Sequence, residues 1–307
     1  MWEGATDRAP TRGDYALLSL GERLWAGGPA GLWLKEGDAW KQRKLPSQLP
    51  IPRVHGFASF KKASLVGGLG GLFIGNPGKW RQIDDQTVKQ ILKVGDAAWV
   101  VYGNGAVDKI QPDLDRMASD VLVGAIRRPW TSCVATDGTT LVFGGQGGWT
   151  TKTSEKTVET LRPELEGDVV TAAISDRAGK WIATQKNGLF RFDASGKVRV
   201  WNPGNGLSDP WVTALVTTKE GILIGTASAG LFLLNTGKIK KVAAPSQRIL
   251  SLAVRQDSLV VGAAEGAWIR RGSKWHALPT QGEETTSLST ADGSLVITTA
   301  HGLAKIP

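Results

Sequence analysis

The chain has a single cysteine, Cys133, with only two methionines, two tyrosines and three histidines. A lone thiol excludes an internal disulfide and any cysteine-based metal cluster. Its place in the apolar run from Thr131 to Ala135 reads as a small buried core position. No apolar run approaches the ~18 residues of a membrane-spanning helix. The opening Met1-Trp2-Glu3-Gly4 lacks the basic and apolar regions of a leader. The expectation is therefore no signal peptide at this N-terminus, with a removed leader left open. Enzyme signatures are missing too, since neither G-x-S-x-G nor H-E-x-x-H occurs. Gly67 to Gly71 and Gly144 to Gly148 lack the Lys-Ser/Thr ending of a phosphate-cradling loop and read as strand joins.

What is present is glycine and tryptophan, 39 and 13 of them in 307 residues. Glycine at that level, with 41% hydrophobic residues, suits many short strands joined by turns. A Gly followed by an apolar residue recurs at Gly31-Leu32, Gly71-Leu72, Gly105-Ala106 and Gly148-Trp149. It returns at Gly188-Leu189, Gly230-Leu231, Gly266-Ala267 and Gly302-Leu303. The intervals of 40, 34, 43, 40, 42, 36 and 36 residues match one four-stranded propeller blade. The period predicts eight repeats, each a small antiparallel sheet with this Gly at the join of its second and third strands. Expected first strands run Tyr15 to Ser19, Val54 to Ser59, Val88 to Lys93, Thr131 to Ala135, Val169 to Ile174, Val212 to Val216, Ile249 to Val254 and Thr286 to Ser289. Repeat three, before the irregular stretch from Pro112 to Pro129, is the least regular.

The last repeat runs out of chain after its third strand. Met1 to Asp7 has no repeat of its own, and Trp2 matches the outer-strand positions of Trp40, Trp80, Trp201 and Trp275. The resulting expectation is one all-β domain, residues 1–307. It is an eight-bladed β-propeller of four-stranded antiparallel blades, closed by the N-terminal strand completing the last blade. Eleven tryptophans fall on second, third or outer strands and are expected to pack between blades. Trp130 and Trp211 are the exceptions, because each precedes a first strand.

The wording of repeats five and six resembles the two-component-regulator propeller family, the repeats of bacterial sensor proteins. The residues that carry the likeness are Asn205-Gly206-Leu207-Ser208-Asp209-Pro210-Trp211-Val212 and Asp176-Arg177-Ala178-Gly179-Lys180-Trp181-Ile182. Asn187-Gly188-Leu189-Phe190 continues it. The resemblance implies a propeller in a sensor-like or assembly-scaffold role of a bacterial envelope or signalling system, periplasmic or extracellular. The overall expectation is a monomer that binds a small molecule or a protein without catalysing a reaction, with no cofactor.

Propellers place first strands around a central channel, which makes the residue before each first strand a candidate for the channel mouth. Those positions hold Arg53, Thr87, Trp130, Asp168, Trp211 and Arg248. Arg offers bidentate recognition of a carboxylate or phosphate, and Trp a stacking face. The candidate ligand-binding set is Arg53, Trp130, Trp211, Arg248, His55, His301 and Glu265. The competing reading is that each side chain packs beneath its own loop. Two histidines without a spaced third ligand do not make a metal site. Two further classes stay open: a hydrolase or lyase assembled at the same mouth, and binding of a polyanion, nucleic acid included. The net charge of +9 favours the last. However, basic pairs such as Lys61-Lys62 and Lys240-Lys241 are dispersed and also read as solvated faces.

Overall fold

The computed structural model describes residues 51, 53–60, 62–76, 79–111, 121–122, 130–176, 179–280, 282–291, 294–300 and 302–306. In repeat one it describes the strand backbones over 16–20, 23–28, 31–36 and 39–43. Two compact units divide the chain, residues 1–50 with 76–80 and residues 51–75 with 81–307.

In the first unit the strands Ala16–Leu20, Arg23–Gly28, Gly31–Glu36 and Ala39–Arg43 pair in sequence order as an antiparallel sheet. Repeats two to eight, which the second unit contains apart from residues 76–80, are each a sheet of three or four antiparallel strands in sequence order. Their inner strands are Arg53–Ser59, Val88–Val94, Thr131–Thr136, Val170–Asp176, Val212–Thr218, Ile249–Arg255 and Thr285–Ala291. Each lies against the next, and the succession comes back from Thr285–Ala291 to Arg53–Ser59. All eight Gly-apolar junctions sit where the period puts them, at or just before the third strand of a sheet.

Seven blades therefore make the propeller, and the expectation of eight is overturned. Thr285–Ala291 lies beside the inner strand of repeat two, and repeat one belongs to the other compact unit. Nor are all blades four-stranded: repeats three and eight have three strands among the described residues. Closure by Met1 to Asp7 is not shown, because those residues lie outside the described ones.

A single small sheet cannot bury both faces, and the core accordingly sits between blades. Each of six clusters of buried side chains draws on two neighbouring repeats. The contact of repeat eight with repeat two includes polar groups. Thr286 donates its hydroxyl to the Val54 carbonyl, and Arg53 pairs with Glu284 at 2.6 Å.

Glycine makes the close approach possible. A Cβ built on Gly67, Gly144, Gly225 or Gly262 would lie 2.4–2.7 Å from a side-chain atom of Val88, Val170, Ile249 or Thr285 on the next blade. These partners are fully buried. A missing side chain on one second strand thus becomes the slot for the β-branched residue that opens the next inner strand. Cys133 is buried beside Gly144, and burial pushes its thiol up to about 12.

Candidate functional site

Each inner strand of the seven blades breaks register with its second strand near its start, at the third residue in repeat two and at the second residue in the other six. The ladder steps over His55, Lys89, Ser132, Thr171, Thr213, Leu250 and Thr286, one residue per blade. A bulge leaves its extra residue unpaired and re-aims it. The residue just before it, Val54, Val88, Thr131, Val170, Val212, Ile249 or Thr285, is buried, and Val88, Val170, Val212, Ile249 and Thr285 pack against the preceding blade.

The bulge side chains stitch the blades together. His55 Nδ1–H donates to the Val88 carbonyl at 2.8 Å, Thr171 to that of Val212 at 2.5 Å and Thr213 to that of Ile249 at 2.6 Å. Ser132 donates to Val170, and Thr286 to Val54. In repeat three the corresponding bond falls one residue later, with Gln90 bonded both to the carbonyl (3.0 Å) and to the N–H (2.8 Å) of Val134. Leu250 has no proton to give. A hydroxyl carries one proton, so those already donated leave oxygen lone pairs as what the belt offers a ligand.

Above the belt is a shallow opening of about 230 Å³. His55, Thr171, Thr213, Leu250 and Thr286 line its floor, and Arg53, Trp211 and Glu284 line its rim. The rim residues each lie two positions before a bulge residue. Trp211 is 44% exposed. Its loop is fixed by Asp209, a buried carboxylate that accepts from the Trp211 N–H (2.9 Å), the Ser228 N–H (2.7 Å) and the Ser228 hydroxyl (2.9 Å). Asp168 has the same duty in repeat five, accepting from the N–H groups of Val169 and Lys186 and from the Asn187 amide. It is a buried loop anchor, which corrects its expected place at the mouth.

Burial is the main cause that lowers the His55 pKa below its ordinary value; the Val88 bond raises it, the Arg53 charge lowers it and Glu284 raises it. The imidazole is therefore neutral at pH 7. With Nδ1–H on Val88, Nε2 is its acceptor.

Of the expected set, the structure brings together Arg53, His55 and Trp211. Trp130 is 54% exposed before the inner strand of repeat four and does not line this opening. Arg248 is exposed in a turn held by its N–H on the Ser246 hydroxyl, also away from the lining. Glu265 is exposed in a strand join whose carbonyl accepts from Gly282 N–H. His301 lies outside the described residues. Sequence reading missed Glu284 and the bulge threonines. Starting the last inner strand at Thr286 rather than Thr285 shifted the rim position off Glu284.

Together these features define a β-propeller with a partly polar channel mouth. No family model matches the chain, and no curated protein matches it in sequence. Among solved structures it is similar to the extracellular domain of a putative one-component system from B. thetaiotaomicron. That likeness has a TM-score of 0.66 and 17% identity over 86% of this chain and 39% of that one. It is similar to PorZ, an essential surface component of the type-IX secretion system of Porphyromonas gingivalis, with TM-score 0.62, 15% identity, and 83% and 37% covered. BamB from Moraxella catarrhalis gives TM-score 0.53 and 14% identity over 95% of each chain. Identities this low establish the propeller fold alone.

Proposed function

We propose that this chain is a non-enzymatic binding propeller whose channel mouth takes a ring-bearing small molecule or a partner's side chain. The observation that carries this reading is the convergence of a half-exposed indole, Trp211, with the Arg53–Glu284 pair over the belt. Arg53 already faces a carboxylate, so it is a weak receptor for an anion. The belt oxygens, His55 Nε2 and Glu284 all accept hydrogen bonds. The ligand class that fits carries hydrogen-bond donors or a positive charge beside a ring, the charge also suiting the face of Trp211. The titratable groups of the lining have structural partners, His55 on Val88 and Glu284 on Arg53, which supports binding over catalysis.

A sensor-like or assembly-scaffold role on the extracellular side accords with the similar structures. One of these is the extracellular domain of a putative one-component system, and another is a surface component of a secretion system. The test is a thermal-shift screen of ring-bearing amines, polyols and carboxylates, followed by calorimetry on the hits. Trp211→Ala is expected to weaken amine or polyol binding about tenfold, the scale of one well-placed contact, with the melting temperature unchanged. Carboxylates binding best, or hits indifferent to Trp211→Ala, would overturn the reading. Chemical conversion of a hit, seen by mass spectrometry, would favour a hydrolase or lyase instead.

A further inference from the structure

A second recess lies between repeats five and six, independent of the mouth, with a volume of about 450 Å³. Gly221 and the turn Asn235-Thr236-Gly237, part of its wall, sit at the strand ends away from the mouth. Its apolar surface comes from Trp181, Trp201, Ile222 and Leu234. The two indoles are 5.4 Å apart between centroids, and Trp201 Nε1–H donates to the Gly237 carbonyl at 3.2 Å, fixing the back wall across the blade boundary.

The charged groups that line this recess are mostly cationic, Arg191, Lys197 and Arg199 against Asp193. Arg191, only 13% exposed, lies 4.8 Å from the Trp181 ring and gives Nη2 to Asp176 at 3.0 Å. Its buried Nη1 has no hydrogen-bond partner among the described residues, and a buried donor left unpaired costs free energy. Arg199 makes no ion pair among the described residues, and Lys197 no salt bridge. The Asp193 carboxylate is turned onto its own loop by the Ser195 hydroxyl (2.6 Å) and by the N–H groups of Ser195 and Lys197 (2.9 Å each). Three cations thus line the recess with one carboxylate, Asp193, which is already engaged, while Asp176 outside the lining pairs with Arg191.

We propose that this recess binds an organic carboxylate with a flat apolar body. The ring system lies against Trp181, Ile222 and Leu234, and the carboxylate meets Arg199 and Lys197 at the opening. A volume of this order is usual for a small-molecule site, with an apolar lining and a few convergent charges. It is the converse of the mouth, which offers acceptors where this recess offers donors.

The test uses the whole chain with ¹⁵N-labelled tryptophan, titrated with 2-naphthoate and its neutral isostere 2-naphthamide. Trp181→Phe and Trp201→Phe assign the two indole signals. The expected result is saturable shifts of both signals with naphthoate at millimolar concentration, and at least tenfold weaker binding of the amide. The Lys197→Gln/Arg199→Gln double variant, verified as folded by an unchanged melting temperature, should lose about tenfold or more in naphthoate affinity, because charge-assisted contacts are the strong ones. No shift at millimolar concentration, equal affinity for the two probes, or an indifferent double variant each overturn the proposal. So does a response confined to the Trp211 indole, which would put the carboxylate at the mouth.

Discussion

The slot between repeats six and seven can be tested by filling it. A Cβ on Gly225 would meet Ile249 Cγ2 at 2.6 Å and Ile249 Cβ at 3.1 Å, well inside van der Waals contact. Ile249 is fully buried and begins a strand, so it has little room to retreat. Overpacking of this kind costs roughly 1–3 kcal/mol, so Gly225→Ala should destabilise by that amount. Ile249→Ala alone leaves a cavity and should cost about 2–5 kcal/mol. The double variant puts a methyl group where the isoleucine branch was. Its loss should fall short of the sum of the single losses by about 1 kcal/mol or more, a coupling that only neighbouring residues produce. For a protein of this size ~1 kcal/mol corresponds to roughly 2–4 °C in melting temperature, within reach of urea titration and differential scanning calorimetry. Additivity within about 0.5 kcal/mol would refute the slot as the way adjacent blades engage.

Trp201 and Trp211 should behave as opposites. Trp201→Ala removes a buried ring that bridges two blades and should cost about 3–5 kcal/mol, while Trp211→Ala, at an exposed rim position, should change stability by under ~1 kcal/mol. Equal losses in denaturation would contradict the assignment of Trp211 to the mouth. His55 should titrate below its ordinary 6.5, as its burial requires, and lower still in Glu284→Gln, which removes a field that favours the charged ring. Because the unfolded chain takes up this proton more readily, the contribution to stability is intact above pH 6.5 and is lost as pH falls through the folded pKa. Imidazole proton resonances followed by NMR decide both points, and a His55 pKa at or above 6.5 would refute them.

The blade period was legible because it rests on local chemistry. A Gly at the second turn and an alternating run on either side are visible wherever a small sheet must fold back on itself. How many of those sheets join one ring is decided by packing between distant residues. Repeat one carries its Gly31-Leu32 junction like the others, yet it belongs to the other compact unit, while the inner strand of repeat eight lies against that of repeat two. The register step of the inner strands left no mark in hydrophobic alternation, because one skipped residue is hidden when the residue before it is Val, Thr or Ile. The same blind spot explains the partial success at the mouth. Trp211 sat just before a strand start placed correctly at Val212, and Arg53 was found although its strand starts at Arg53 rather than at the expected Val54, whereas Glu284 was lost to a shift of one residue. Arg248 occupies the equivalent position of its blade, but belonging to the repeat did not bring its side chain into the opening.

The bulges have a wider consequence. A residue inside a ladder must suit two strands and a blade interface at once, but a residue stepped over by the ladder is relieved of the pairing. Around this channel those places read His, Lys, Ser, Thr, Thr, Leu and Thr, a basic ring, an amine, hydroxyls and a plain alkyl group in the same backbone setting. The scaffold already tolerates Leu250 where its neighbours carry hydrogen-bonding side chains. Seven letters can therefore be rewritten while the glycine slots stay as they are, and the channel's chemical taste becomes a text separate from the frame that holds it.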